Sequence, residues 1–259
     1  MSAKGKERAL SPAKGEAPHV STRQWIKWEG EQSSEPTNTL VVTSAGNRFV
    51  DIRVKKYDPN SGVHDFPGIQ GLHQLDWAFA GTSSSERKQG EHFQTHSKWF
   101  HWIDSNSAHP DEFKDEGTMI PDSSGRVLEH GTMIHPVKGE MTPYTECWLD
   151  APLKKTAEQD QGIWNAVLVL DEPEKMRRGM VIRVGQVCQG ILREGARFTV
   201  EQWTWAVEGG WKRLTRMGDD FLPCGMAMDP ERLGKTVTFK HPEGPDKDHV
   251  WEVKERKFY

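Results

Sequence analysis

Short apolar runs with a two-residue period recur along the chain, and Gly, Pro, Asn, Asp and Ser separate them. This alternation is typical of β-strands with one buried face, and helical spacing is scarce. Ala45-Gly46-Asn47 predicts a hairpin between the second and third runs. In the first half the predicted strands are RQWIKW (23–28), TLVVTS (39–44), NRFVDIRVKKY (47–57), QLDWAFAG (74–81), HFQTHSKWFHWIDS (92–105), RVLEHGTMIHP (126–136) and MTPYTECWLDAP (141–152).

The same pattern returns after the polar stretch PLKKTAEQDQG (152–162), where we place a domain boundary near residue 155. The pattern indicates a disordered tail (1–20) and two all-β domains, 21–155 and 156–259, each a meandering antiparallel barrel or sandwich of six or seven strands with little helix. SSSERKQGE (83–91) is expected to be a loop. In the second half the runs are GIWNAVLVLDE (162–172), MVIRVGQVCQGILRE (180–194), ARFTVEQWTWAV (196–207), GWKRLTRMG (210–218), KTVTFKH (235–241) and HVWEVKE (249–255).

Composition narrows the function classes. A net charge of −4 argues against a nucleic-acid-binding protein. Neither a signal peptide nor an apolar stretch long enough to span a membrane is found in the sequence, so a cytoplasmic protein without membrane insertion is expected. The three cysteines form no CxxC pair, which fits a reducing compartment and no structural metal. Eleven tryptophans against three tyrosines suit a compact β core or a pocket for flat apolar ligands.

Four motifs carry a family resemblance: LDWAFAGT (75–82), WID (102–104), TECWLD (145–150) and VIRVGQVCQGIL (181–192). Across residues 21–255 the chain resembles the fungal family of double calycin-like (lipocalin-like) β-barrel proteins of the yeast casein-kinase-interacting type. The resemblance implies two calycin barrels.

One branch of that family consists of hetero-Diels-Alderases of tropolonic sesquiterpenoid biosynthesis. These pericyclases dehydrate a tropolone alcohol to a quinone methide and add it to a humulene-type alkene. The Trp and His content favours this branch, which implies apolar small-molecule substrates and neither a metal nor a nucleotide cofactor. The alternative is a non-enzymatic binding or kinase-interacting protein; a homodimer is open in either case.

Strand alternation assigns the side chains of KWFHWIDS (98–105) to two faces. Trp99 and His101 share one face and Asp104 lies on the other, at the rim, so His101 and Asp104 can meet only across a bulge. HxxD and HxxxxH spacings on strands give no compact three-ligand metal cluster, and no GxSxG, GxGxxG or GxxxxGK[ST] motif is present.

One pocket is expected from the faces that combine aromatic and polar side chains. His101 or His135 is the predicted acid or donor, with Tyr144 as a further donor. Gly131 is expected to leave room for the ligand. Arg183 in the second half could hold a ligand oxygen, although pairing with an acid such as Glu201 is the favoured interpretation. The predicted binding residues are Trp77, Trp99, Glu129, Met133, Trp148 and Arg183. The alternative interpretation is that these side chains are ordinary core residues or lie on the solvent-exposed face of a sheet.

Overall fold

The computed structural model describes residues 17–56, 71–87, 93–244 and 248–259. The expected tail (1–20) falls mostly outside them, and the first strand already begins at His19. The strands are β1 (His19–Trp28), β2 (Thr37–Thr43), β3 (Arg48–Lys55), β4 (Leu75–Arg87), β5 (Thr95–Asp104), β6 (Asp115–Pro121), β7 (Arg126–Ile134), β8 (Met141–Asp150), β9 (Trp164–Glu172), β10 (Arg177–Val184), β11 (Val187–Glu194), β12 (Arg197–Ala206), β13 (Gly210–Met217), β14 (Thr236–Phe239) and β15 (His249–Phe258). The described residues contain one short α-helix, α1 (Cys224–Ala227), and 3-10 turns at Leu72–Gln74, Pro110–Glu112 and Pro173–Lys175.

Strands β1 to β8 form a closed antiparallel barrel in which each strand pairs with the next and β8 returns to β1. The expected hairpin between β2 and β3 is present, and Asn47 supplies its positive φ of 59°. The predicted loop at 83–91 is wrong in part, because β4 continues to Arg87. Strand β6 was missed because DEGTMIP carries little apolar alternation.

The second half forms a seven-stranded antiparallel sheet in the order β13-β12-β11-β10-β9-β15-β14. The run at 180–194 contains two strands, since Gly185 turns the chain with a φ of +52°. The all-β prediction is therefore confirmed, as a closed barrel followed by an antiparallel sheet that is compatible with a second barrel. The last barrel strand ends at Asp150, and the second sheet begins at Trp164.

An apolar layer joins the two halves. On β3, Val50 and Ile52 point outward from the barrel and pack against Ile182 of the second sheet, while the alternate residues point inward. Gln189 of β11 donates from Nε2 to the backbone carbonyls of Leu40 and Val50. The barrel wall thus has its apolar side against the second sheet, and this leaves its interior to polar and aromatic groups.

A β-bulge shapes one side of the barrel. The pairing of β4 with β5 shifts between Ala80 and Gly81, so that Ile103 opposes Ala80 and His101 opposes Gly81. Trp102 is the extra residue, and it changes the face on which the following side chains lie. Gly81 permits the close approach, since a Cβ there would overlap the carbonyl oxygen of Phe100.

Candidate functional site

The barrel encloses a cavity of about 70 Å³. Aromatic and ionisable side chains from its strands line the cavity together. The lining residues are His19, Ser21, Val41, Thr43, Phe49, Asp51, Arg53, Trp77, Phe79, Trp99, Asp115, Met119, Glu129, Met133, Tyr144, Glu146 and Trp148. We call this space the lumen. It is smaller than the roughly 150 Å³ of an engineered cavity that binds benzene, so the closed form accepts only small groups.

Glu129 of β7 is a buried carboxyl in the lumen wall, 4% exposed. Tyr144 donates its hydroxyl to Glu129 Oε1 at 2.7 Å, and Trp148 donates Nε1–H to Oε2 at 2.9 Å. Burial, together with the negative charges of Glu146 and Asp115, raises the pKa of Glu129 to about 8. Glu146 is its direct cross-strand neighbour, a pairing that disfavours two like charges. The Glu129 carboxyl is therefore mainly neutral at pH 7.

Two arginines bind the lumen carboxylates Asp51 and Glu146. Arg53 donates from Nε and Nη2 to Asp51 Oδ2 at 3.1 and 2.9 Å, and its Nη1 lies 3.8 Å from Glu146 Oε1. Arg23 donates from Nη1 to the same Glu146 oxygen and from Nε to Glu35 at 2.9 Å. The Arg53 guanidinium also lies 4.9 Å from the ring centre of Trp77. Such a network holds the charged groups rigidly, because each buried ion has a partner.

Asp51 is incompletely paired. It is 2% exposed, and its Oδ1 has no hydrogen-bond partner among the described residues. Burial raises the pKa of Asp51 above its usual value, against the opposing effect of Arg53. A buried acceptor without a donor costs free energy, so Oδ1 is a place where a ligand donor would be stabilised.

His101 lies behind the lumen wall, with its side chain fully buried between two aspartates. Its Nδ1 is 2.9 Å from Asp104 Oδ2 and its Nε2 is 3.0 Å from Asp115 Oδ2. Its ring stacks on Phe79 with a centroid distance of 4.2 Å. Burial alone would lower the pKa of His101, but hydrogen bonds to both aspartates raise it. The expectation that Asp104 would lie at the rim, on the other face, is wrong because the β4–β5 bulge brings it to His101.

A second, smaller space of about 50 Å³ adjoins the lumen, and the two share His19, Thr43, Trp99 and Met119 as lining residues. Its wall includes Ser83, Ser85 and Ser97, and the hydroxyls of Ser85 and Ser97 are 2.8 Å apart. We call this space the serine pocket. It extends the lumen past Trp99 and Met119.

The structure brings six of the predicted site residues together. The lumen is lined by Trp77, Trp99, Glu129, Met133, Tyr144 and Trp148. Gly131 does not leave room for a ligand, because the Tyr144 side chain occupies the space beside it.

Three predicted site residues lie elsewhere. His101 does not line the lumen, since the Phe79 ring covers it. His135 lies beyond the end of β7, where its Nδ1 accepts from the backbone N–H groups of Val137 and Lys138, both at 3.1 Å. Its Nε2 is 3.2 Å from Glu31 Oε1, without hydrogen-bond geometry. It belongs to the turn that connects β7 and β8.

Arg183 belongs to the second sheet and does not reach the lumen. It donates to the carbonyls of Gly185 at 3.0 Å and Met228 at 2.7 Å, and to the Thr156 hydroxyl at 2.6 Å. Burial lowers the pKa of Arg183 to about 10. The expected pairing with Glu201 is wrong, because that carboxylate lies near Arg213, at 3.5 Å, and near Arg216.

The sequence prediction missed five ionisable lumen residues: His19, Asp51, Arg53, Asp115 and Glu146. One signal was available on β3, where Asp51 and Arg53 alternate with apolar residues. That pattern normally marks the charged side as solvent-facing. Here both sides are buried, because the apolar side faces the second sheet.

The described part of the chain contains no cluster of three or more His, Cys, Asp or Glu suited to a metal ion. In the same residues, no helix has the length and apolarity needed to cross a bilayer.

Comparison with known proteins gives two matches. The model of the family described as Protein HRI1 matches residues 19–255. The crystal structure of the uncharacterized protein YLR301w from Saccharomyces cerevisiae superposes with a TM-score of 0.70 at 19% sequence identity, covering 93% of this chain and 99% of that chain. That similarity establishes a common fold. No curated protein matches the chain.

Proposed function

We propose that the chain, which belongs to the HRI1 family, binds a small organic molecule in the lumen of its N-terminal barrel and donates a proton to it from Glu129. The observation that carries this proposal is the Glu129 carboxyl, held by Tyr144 and Trp148 in the wall of an aromatic cavity with a pKa of about 8. A carboxyl that is still protonated near neutral pH is suited to general-acid catalysis.

A finer proposal follows from the sequence resemblance: the reaction is dehydration of a tropolone alcohol followed by hetero-Diels-Alder addition to a humulene-type alkene. Glu129 would protonate the leaving hydroxyl, which departs as water with the C–O bonding pair. The tropolone O–H proton then returns to the carboxylate, and this leaves a quinone methide. Aromatic walls such as Trp77 and Trp99 would orient the two partners, and orientation lowers the barrier by up to roughly 7 to 11 kcal/mol.

The size of the lumen sets a condition on that reaction. Two substrates of this size exceed a cavity of about 70 Å³, and the serine pocket past Trp99 and Met119 adds only about 50 Å³, so the barrel has to open beyond both spaces. A reaction inside the barrel therefore requires these two side chains to move. Replacing Met119 by Ala should then increase both the affinity for bulky ligands and the reaction rate.

The experiment incubates the full chain with a tropolone alcohol and humulenol and compares products with a no-protein control. We expect more cycloadduct with one stereochemistry, and a rate reduced by roughly 10² or more in Glu129→Gln. Thr132→Ala, an exposed position on the same strand, serves as the matched control. Equal yields with and without protein refute the hetero-Diels-Alder proposal.

A non-enzymatic binding protein is the second candidate function, and the small closed lumen favours it. Here the lumen would bind a small molecule without converting it. Ligand-induced stabilisation without turnover would identify this case, since a ligand that binds only the folded state raises the melting temperature. Lumen binding itself is refuted if no small molecule raises the melting temperature and Glu129→Gln changes the affinity for no ligand.

A further inference from the structure

The ionisable groups of the lumen lining are mainly acidic. Among the described residues that line it, four carry carboxyl groups (Asp51, Asp115, Glu129 and Glu146), of which Glu129 is mainly neutral at pH 7. The basic lining side chains are Arg53 and His19, and His101 binds Asp115 from behind the wall. Arg23 compensates from behind the wall, but it is shared with Glu35. A positively charged ligand would therefore lower the electrostatic energy of the site, whereas an anion would raise it.

The unpaired oxygen of Asp51 indicates what kind of group is missing. Asp51 lines the lumen and is 2% exposed. Its Oδ1 has no donor within the described residues. Its other oxygen already accepts two hydrogen bonds from Arg53. A ligand N–H at Oδ1 would complete the hydrogen bonding of this carboxyl.

Aromatic ring faces supply a second attraction for a cation. The existing Arg53 guanidinium shows this chemistry within the same lumen, since it lies 4.9 Å from the Trp77 ring centre and 5.3 Å from that of Phe79. Phe49, Trp99 and Trp148 also line the space. Aromatic side chains around carboxylates are a recurring means of binding organic ammonium groups.

We infer that the ligand of the lumen is a small organic amine, bound as its ammonium ion, with one N–H donated to Asp51 Oδ1. This inference rests on one part of the proposed function, that the lumen binds a small molecule, and it names the ligand class. It is an alternative to the tropolone reaction, whose substrates carry no amine. The limited space selects an ammonium on a short chain, and an amine with a single ring enters only if the lumen widens into the serine pocket.

The probes are three compounds of matched size: benzylamine, benzyl alcohol and benzoate, with ethylamine and ethanol as a smaller pair. Binding to the full chain is measured by isothermal titration calorimetry and by tryptophan fluorescence. We expect each amine to bind at least roughly tenfold more tightly than its alcohol, and benzoate to bind weakest. This comparison uses the wild-type chain alone and does not depend on the folding of any variant.

Asp51→Asn tests the residue. The amide keeps an oxygen for Arg53 but removes the charge, so we expect amine affinity to fall roughly tenfold or more and alcohol affinity to change little. Glu201→Gln is the matched control, because it removes a buried carboxyl in the second sheet, where Arg213 and Arg216 pair with it. It should leave the amine affinity unchanged.

Glu129 provides an independent readout. The groups that face it are Tyr144 and Glu146 on β8, Asp115 on β6 and Arg53 on β3. Since a cation binds better when Glu129 is ionised, amine affinity should rise as the pH increases through about 8, and the alcohol should show no such rise.

The outcomes separate the two proposals. Alcohol or benzoate binding as tightly as the amine, or an unchanged amine affinity in a folded Asp51→Asn variant, overturns the amine assignment and leaves lumen binding standing. If none of the probes binds at millimolar concentration, the amine assignment fails. If the tropolone alcohol is also not converted and no small molecule stabilises the chain, lumen binding fails as well.

Discussion

Glu129→Gln should change how the stability of the protein depends on pH. In the unfolded chain the carboxyl has its ordinary pKa of 4.5, and in the folded protein the pKa is about 8. The folded state therefore binds more protons between these values, so the free energy of unfolding falls as the pH rises from 4.5 to 8. The stabilising contribution is fully present below pH 4.5 and is lost as the pH passes through 8.

The magnitude follows from linkage. Each pH unit within this window costs about 1.4 kcal/mol, which makes the full loss on the order of 5 kcal/mol. Glutamine cannot ionise, and its amide can accept from Trp148 and donate to the Tyr144 oxygen. Between about pH 5.5 and 7.5 the wild type should therefore lose about 2.5 kcal/mol more than Glu129→Gln.

Urea unfolding followed by far-UV circular dichroism at both pH values measures this difference. Thr132→Ala provides the control, since it lies exposed on β7 and carries no ionisable group, and its pH dependence should match the wild type. Parallel pH profiles for the wild type and Glu129→Gln would refute the assignment of a neutral Glu129 carboxyl and with it the proton donor.

Three further substitutions test the fold around the lumen. Gly81→Ala should lower the free energy of unfolding by about 3 kcal/mol or more, because its Cβ would overlap the Phe100 carbonyl. Gly225→Ala is the control: its Cβ would meet open space, so a thermal melt should show a change of less than about 1 kcal/mol. His101→Ala leaves the buried Asp104 and the half-buried Asp115 without their shared partner, and it should cost about 3 to 5 kcal/mol near pH 6. The cost should be smaller at alkaline pH, because the stabilisation that comes with the raised pKa of His101 is lost as the pH rises through that pKa; equal costs at both pH values would contradict this. Gln189→Leu removes the hydrogen bonds to the Leu40 and Val50 carbonyls and the bond accepted from Gln202. It should cost about 1 to 3 kcal/mol in urea unfolding, and no loss would show that these bonds contribute little.

The sequence predicted the all-β class and most strands because turn residues and alternation are local signals. It could not assign the faces of β3, where Asp51 and Arg53 point into the barrel and Val50 and Ile52 point outward. Alternation shows that two faces differ, but which face is interior depends on the packing of distant segments. The usual preference for charged residues outside would give the opposite orientation.

The candidate site was partly predictable for the same reason. Glu129, Tyr144 and Trp148 alternate on two strands that are close in sequence, and their cross-strand contacts follow from hairpin pairing. The His101 and Asp104 contact depends on the extra residue Trp102 in β5, and a bulge of this kind has no local signature in WFHWID. Arg183 was misassigned because two of its partners, the Met228 carbonyl and the Thr156 hydroxyl, lie in segments that carry no motif.

The apolar layer between the barrel and the second sheet also affects how the two halves can evolve. Val50, Ile52 and Ala78 on one side and Ile182 and Val184 on the other are each fully buried by the opposite half. A chain divided between Asp150 and Trp164 would expose both surfaces to water, and each fragment would tend to aggregate. A change of side-chain volume in one half is thus selected for its fit to the other half, so the two halves must diverge together. Replacing one half by the corresponding half of a related protein would require redesign of the whole apolar layer.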